Sequence, residues 1–401
     1  GVPDAVAVIN PHQPGCPYPY RFLSGVGLVF KLAVGVRRRL HEHGWPAGRL
    51  PNLQQHLDLF GLGTIADLAP LTGENHLLSV HGLEAMRNTE KPGLIALKAV
   101  AGCTGRLDSF AVGFKLGPRL NAAGRLGKAD AGFHLLVTED PDAAMRLAGE
   151  LDALNTLRKK TQDEVQEEAE YLLQREVDLE EDRVIVLESP NFHPGVIGIV
   201  ASRLVEKHFR PVVLVAFAGG VGKGSARSIP SFHLHRAFTE CADHLLQFGG
   251  HAYAAGLTIE KNRLEGFREA LNAVGCRVLR AEHLIPEIRI DAEVTLKELD
   301  WELFREVRQL EPYGQLNPTP VFLARGTTCK NPRVIGKGRD HVRFTAGQGA
   351  ARLEAVGFGM AAAWRGLESK DRLDLVFELH SNDFSGVPKL ELKLLDLRPA
   401  P

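Results

Sequence analysis

The sequence Gly222-Lys-Gly-Ser-Ala-Arg-Ser228 opens a segment that closes with Gly249-Gly-His-Ala-Tyr-Ala-Ala-Gly256. Glycine carries no Cβ, so a ligand oxygen can approach the backbone closely at both ends of this segment. Arginine, serine and histidine side chains then offer hydrogen-bond donors to an anion. The first element is not a nucleotide-binding P-loop, because Phe217 stands where that motif requires its first glycine. The pattern therefore predicts a phosphate-binding site.

The composition is that of an ordinary globular protein of several domains, with 401 residues, 44% hydrophobic and 24% charged. The formal net charge of −1 gives no overall signal for nucleic-acid binding, so such a signal must come from local clusters. Five cysteines lie far apart without a Cys-x-x-Cys pair, which favours reduced thiols in the cytoplasm over a disulfide framework or a zinc site. No apolar run approaches the roughly 18 residues of a membrane span.

The chain begins at Gly1 rather than methionine and passes at once into the strand-like run Ala5–Asn10. This beginning predicts a sequence cut from a longer protein. Short apolar runs and helical patterns alternate over residues 1–140, and a helix is expected from Phe22 to His41.

Two aspartates lie in the apolar segment Leu57–Leu71, which is typical of a buried helix or a strand followed by a turn. A carboxylate in such surroundings needs a metal ion or hydrogen bonds. Asp58 and Asp67 are thus either metal ligands or residues that cap and flank a helix.

The segment Gly117–Leu126 places Arg119, Asn121 and Arg125 among small residues. These side chains could hold a phosphate or an acidic partner near exposed backbone. The alternative is a tight, well-packed turn whose arginines are solvated.

The remaining chain divides into three parts. Residues 141–177 are predicted to form one long connector helix with a solvated acidic face, capped by Thr138 or Asp140. Residues 178–275 alternate between strands and helices, which predicts a compact α/β domain. Residues 285–401 contain short alternating strands, from Ile288–Asp291 onward, which predict a small OB-like β-barrel. Candidates for single-strand binding on the barrel are Arg333, Lys337, Arg339, Arg343 and Phe344. The alternative is a packing module whose charged side chains are solvated.

Several ordered motifs resemble those of the RecJ family of single-stranded-DNA-specific exonucleases, within the DHH phosphoesterase superfamily. The motifs include Gly63–Leu71, Gly117–Leu126, His193–Arg203, Gly222–Ser228, Phe248–His251 and Leu310–Pro318. Leu316 departs from the pattern, because a glycine is usual there. The resemblance covers nearly the whole chain.

The resemblance implies an α/β fold class. Residues 1–140 would be the C-terminal part of a parallel-sheet DHH domain, residues 141–177 the connector, residues 178–275 a DHHA1 domain, and residues 285–401 the OB-like domain. It also implies metal-dependent 5′→3′ hydrolysis of single-stranded DNA in repair and recombination.

The resemblance assigns roles to particular residues. Asp67 corresponds to one ligand of a two-metal Mn²⁺ or Mg²⁺ site. Ser225, Arg227 and His251, beside Gly249 and Gly250, would hold the DNA phosphate, and Arg227 and His251 would stabilise charge during catalysis. Arg119, Asn121 and Arg125 would shape the cleft.

The family's Asp-x-Asp motif, a further aspartate and the Asp-His-His signature would all lie before Gly1. The chain is therefore expected to be inactive alone, and a non-catalytic binding or scaffold relative remains an alternative. A phosphoesterase acting on short oligonucleotides is another. The expected partners are single-stranded DNA, a single-strand-binding protein and a helicase. The expected state is a cytoplasmic monomer.

Overall fold

The computed structural model describes residues 3–103, 105, 107–126, 130–367, 370–382 and 386–400. The chain divides into two units of dense internal contact. One unit contains Gly1–Thr89, Gly105–Gly113 and Ile288–Pro401, and the other contains Glu90–Thr104 and Phe114–Glu287. Residues 114–140 thus fall in the same unit as the long helix and the α/β domain, whereas the sequence suggested a boundary after residue 140.

Among the described residues, helices precede the first strand, helices and strands alternate in the middle of the chain, and strands predominate toward the C-terminus. The helices are α1 (Gly25–Glu42), α2 (Leu57–Ala66), α3 (Gly73–Arg87), α4 (Pro92–Val100), α5 (Ser109–Ala111), α6 (Gly117–Leu126), α7 (Asp130–Val137), α8 (Pro141–Glu176), α9 (Ile197–His208), α10 (Leu234–Glu240), α11 (Leu264–Val278), α12 (Trp301–Val307) and α13 (Ala361–Arg365). The strands are β1 (Ile185–Ser189), β2 (Val212–Ala218), β3 (Val221–Arg227), β4 (Gln247–Gly250), β5 (Ala254–Glu260), β6 (Ala292–Glu293), β7 (Phe322–Ile335), β8 (His341–Gln348), β9 (Ala351–Gly357), β10 (Leu373–Asn382) and β11 (Lys389–Pro399).

Helix α8 begins where the sequence predicts. The Asp140 side chain accepts a hydrogen bond from the Asp142 backbone N–H, and Pro141 occupies the first turn, where its missing N–H costs nothing. Asp140-Pro-Asp142 has the letters of an Asp-x-Asp motif, but Asp140 serves as the helix cap.

The α/β domain contains a five-stranded sheet with the order β1-β2-β3-β5-β4. The β1–β2 pair is parallel, and the other pairs are antiparallel. Helices α8 and α9 cover one face with Val165, Val200 and Leu204, while α10 and α11 cover the other with residues such as Phe238 and Phe267. Because both faces are buried, β2 is apolar along nearly its whole length.

The acidic face of α8 is not simply solvated, in contrast to the prediction. Asp163 pairs with Arg203 and Glu170 pairs with Lys207, so these carboxylates contact α9. Glu168 accepts a hydrogen bond from Ser189 at the end of β1. Opposite charges on adjacent helices explain this arrangement.

In the other unit, residues 3–24 are irregular, the following segment up to residue 89 contains helices α1 to α3, and residues 3–89 contain no strand. The predicted strand Ala5–Asn10 is not formed in this chain, because a strand requires a hydrogen-bonded neighbour and none of the described strands pairs with it. Val6 is fully exposed. The segment Leu57–Leu71 begins as helix α2 and ends in a turn.

The C-terminal strands close into a barrel, which confirms the predicted OB-like domain. The order is β10-β11-β9-β8-β7, and β10 also pairs with β7. The predicted strand Ile288–Asp291 is instead irregular, and the short strand β6 follows it. Phe344 is 1% exposed and stacks on Trp364, so it belongs to the barrel core and not to a DNA-binding face.

No helix in the described part of the chain is long and apolar enough to cross a membrane.

Candidate nucleic-acid interface

The side chains of Ser225 and Arg227 leave the same face of β3. Successive residues of a strand point to opposite faces, and Ala226 between them is buried in the core formed with α10 and α11. The Arg227 guanidinium Nη1 donates to the Ser225 Oγ at 3.2 Å and to the Ala226 carbonyl at 2.8 Å. Arg227 is half-buried and finds no carboxylate partner among the described residues. Its charge is therefore available to an anion.

Helix α9 approaches this pair at Gly198. A Cβ at Gly198 would lie 2.9 Å from the Ser225 Oγ and 3.0 Å from Arg227 Nη2. The missing side chain thus lets the helix pack directly over both donors, and the helix limits the positions that the arginine can take.

The second glycine-rich element forms the β4–β5 hairpin. Arg227 pairs with Ala254 in the sheet, and the Ala254 carbonyl accepts a hydrogen bond from the His251 backbone N–H at 2.8 Å. Two strand spacings place the His251 backbone about 10 Å from that of Arg227. Gly250 has φ +140, and a Cβ there would collide with the Ala254 carbonyl, so this turn requires glycine. Gly249 and His251 are exposed.

Arg125 reaches the same region from α6. The segment Gly117–Leu126 is helical, so the alternative of a tight turn is wrong. The Arg125 Nη1 donates to the Gly195 carbonyl at 3.2 Å, in the loop that precedes α9. Burial and the nearby Arg125 lower the pKa of Arg227. The two arginines repel each other, and an anion between them would relieve that repulsion.

Arg158 on α8 belongs to this cluster, although the sequence motif that contains it, Leu154-Asn155 with Arg158-Lys159, predicted no role for it. It is 8% exposed and bonds only to neutral amides, through Nε and Nη2 to the Asn155 Oδ1 and through Nη1 to the Gln162 Oε1. Burial, and then repulsion from Arg125 and Arg203, lower the pKa of Arg158. The signal was present, because Asn155, Arg158 and Gln162 interrupt the apolar stripe that α8 buries.

The other two residues of α6 differ in role. Arg119 pairs with Asp152 at 2.8 Å and donates to the backbone carbonyls of Val100 and Lys115, so it holds α6 against α8 and α4. Asn121 is exposed on the helix surface.

Asp67 lies in the unit that contains the barrel, at the C-terminal end of α2. It is exposed, and its carboxylate has no partner among the described residues. The turn that follows is held by Tyr20, whose hydroxyl donates to the Thr72 carbonyl, and by Asn75, which donates to the Pro70 carbonyl. Asp58, in contrast, is buried and accepts hydrogen bonds from Thr89 and from the Leu59 N–H. Helix packing accounts for Asp58 without a metal.

A metal site requires several ligands at one place, and two-metal hydrolysis requires more. No group of three or more His, Cys, Asp or Glu side chains suited to an ion occurs within the described residues. Asp67 supplies one free carboxylate. These residues do not by themselves fit a two-metal centre.

Two family profiles match the chain. That of the DHHA1 domain matches residues 181–274, and that of the RecJ OB domain matches residues 290–396.

The chain is similar to proteins named single-stranded-DNA-specific exonuclease RecJ. It is 37% identical to that of Bacillus subtilis over 98% of this chain and 49% of the relative. It is 35% identical to that of Escherichia coli over 99% of this chain and 71% of the relative. The chain thus spans about half of the length of one of these relatives and about 70% of the other.

A solved structure with a similar fold is the crystal structure of RecJ in complex with Mn²⁺ from Thermus thermophilus. The TM-score is 0.82 at 32% identity, and the similarity covers 97% of this chain and 55% of that one. The corresponding complex with Mg²⁺ gives a TM-score of 0.81 at the same identity.

Proposed function

This chain belongs to the RecJ family of single-stranded-DNA-specific exonucleases, and we propose that it binds a DNA strand for hydrolysis from the 5′ end. Ser225, Arg227 and His251 hold a phosphate of the strand, Gly249 and Gly250 let it approach the backbone, and Arg125 adds positive potential. The barrel also binds the strand.

The observation that carries this proposal is the half-buried Arg227. Its guanidinium is held by Ser225 and by α9, lies near Arg125, and has no carboxylate partner in the described sequence. A buried cation without a counter-ion is costly, and a phosphate offers both the charge and the acceptor oxygens that this site lacks. The pre-arranged donors would also stabilise negative charge that develops on the phosphate.

In the complete protein, Mn²⁺ or Mg²⁺ would activate a water molecule, and Asp67 would be one ligand. The other ligands would come from residues outside this sequence, so the 401-residue chain should bind DNA without hydrolysing it. The direction of digestion, a single-strand-binding protein and a helicase as partners, the cytoplasmic location and the monomeric state are carried over from the family.

A direct test uses the complete protein with Mn²⁺ and end-labelled single-stranded DNA. We expect nucleotides to be released from the 5′ end, and Asp67→Ala to abolish the release. Asp58→Asn is the matched control, since Asp58 is occupied by helix contacts. No digestion, or digestion that Asp67→Ala leaves intact, would overturn the proposal.

Dinucleotides serve as the competing substrate. A clear preference for them over long single strands would favour a phosphoesterase of short oligonucleotides instead. Single-strand binding without any hydrolysis by the complete protein would favour the non-catalytic relative.

A further inference from the structure

Four arginines form a chain of mutual repulsion in the α/β unit. In addition to burial, the positive charge of Arg125 lowers the pKa of Arg227, and the charges of Arg125 and Arg203 lower the pKa of Arg158. They come from β3, α6, α8 and α9. Within the described residues, only Arg203 forms an ion pair with a carboxylate, although the same carboxylate, Asp163, also attracts Arg158.

The carboxylate that pairs with Arg203 is Asp163 on α8, and the geometry of this ion pair is that of a weak contact. A single Nη1–Oδ1 distance of 3.3 Å joins the two groups, and their side chains are 49% and 66% exposed. An exposed ion pair of this kind contributes little free energy, because water and salt screen the attraction between the two charges. A stronger anion can therefore displace the carboxylate.

Helix α9 links this pair to the phosphate site. Gly198 lies beside Ser225 and Arg227, since a Cβ there would approach both side chains closely, and Arg203 follows five residues later, about 7.5 Å further along the helix axis and about 140° around it. Arg203 is thus fixed on the same rigid element that covers the first phosphate contact.

We infer that Arg203 binds a second phosphate of the same DNA strand, and that Asp163 occupies Arg203 until the strand displaces it. Asp163 is then an internal competitor that weakens binding of any ligand too short to reach Arg203. This inference rests on the proposed function, since it requires a strand at Arg227.

The experiment measures the affinity of the 401-residue chain for a fluorescent oligodeoxythymidylate by anisotropy, in EDTA and over a range of salt. Asp163→Asn should tighten binding by about two- to fivefold, the range that matches one exposed ion pair. Glu164→Gln is the matched control, because it removes the same charge from the next residue of α8, whose side chain is also exposed and faces Lys160. It should tighten binding by less.

Arg203→Gln provides the second measurement. It should weaken binding and reduce the slope of log K against log salt by about 0.7, the value for one phosphate contact on a single strand. When Asp163→Asn is combined with Arg203→Gln, it should tighten DNA binding no more than Glu164→Gln does. The arginine that Asp163→Asn would release is absent from this double variant.

If the parent chain binds DNA, two results would overturn the inference. One is an equal change in DNA affinity for Asp163→Asn and Glu164→Gln, and the other is an unchanged salt slope for Arg203→Gln. Absence of binding by the parent chain would instead contradict the proposed function. Circular dichroism of each variant shows whether the fold is kept.

Discussion

The replacement Gly198→Ala adds one methyl group beside the proposed phosphate site and so tests whether α9 holds Arg227 in place. Its Cβ would lie 2.9 Å from the Ser225 Oγ and 3.0 Å from Arg227 Nη2, both closer than ordinary contacts. Neither neighbour is backbone, so the side chains can move and the fold survives. The arginine, however, must leave the position in which it is held.

Two opposing free energies set the size of the effect. Alanine stabilises a helix interior by about 0.8–1 kcal/mol relative to glycine, but Gly198 is the second residue of α9, so only part of this gain offsets the crowding. A hydrogen bond to a charged group contributes about 1.5–3 kcal/mol, so displacing the guanidinium should weaken DNA binding by about tenfold to a hundredfold. Stability should therefore change little while affinity falls.

The assay compares urea unfolding with anisotropy of labelled single-stranded DNA at one salt concentration. Gly149→Ala is the control, because Gly149 lies on the exposed face of α8 and a Cβ there would have no neighbouring atom within 4 Å. It should gain the helix stabilisation and keep full affinity. If Gly198→Ala binds DNA as tightly as the parent, α9 does not hold Arg227 for a ligand.

Two further predictions concern the barrel. Asp374 is 1% exposed and accepts hydrogen bonds from the Gly326 N–H and from Arg398, so Asp374→Ala should lower the free energy of unfolding by about 1–3 kcal/mol because a buried donor loses its acceptor. Urea unfolding measures this, and the exposed Asp371→Ala should show no comparable loss. Burial raises the pKa of Glu378, but hydrogen bonds from His380 and Lys393 outweigh burial and lower it below 4.5. Because the pKa of Glu378 is lower in the folded state, this carboxylate stabilises the fold above the unfolded pKa of 4.5, and the stabilisation is lost as pH falls through the folded pKa. Glu378→Gln should therefore reduce the loss of unfolding free energy at acidic pH. An unchanged loss at acidic pH would contradict this assignment.

Strand alternation could have corrected one sequence prediction. Arg343 and Phe344 were both candidates for the DNA-binding face of the barrel, yet consecutive residues of a strand point to opposite sides. The structure buries Phe344 and leaves Arg343 on the outer side with Glu391. An aromatic residue between apolar neighbours at alternate positions belongs to the core.

The two aspartates of α2 illustrate what alternation cannot provide. Asp58 and Asp67 stand in similar apolar surroundings in the sequence, and both were open to a metal or a cap. Thr89 satisfies Asp58 from 31 residues away, while Asp67 remains exposed after the last helical turn. No local pattern reveals a partner so distant in the chain.

Elements whose causes are local could be predicted from the order of residues. The capped start of α8, the apolar strands β1 and β2, and the glycines at Gly222–Ser228 and Gly249–Gly256 follow from propensity, periodicity and the freedom of backbone without Cβ. The tertiary structure alone decided which cations meet. Arg125, Arg158, Arg203 and Arg227 lie on four different elements, and the packing of α6 on α8, of α8 on α9 and of α9 on β3 brings their charges near one another. The strength of an electrostatic interaction depends on the distance between the charges in space, and the order of residues along the chain does not specify that distance.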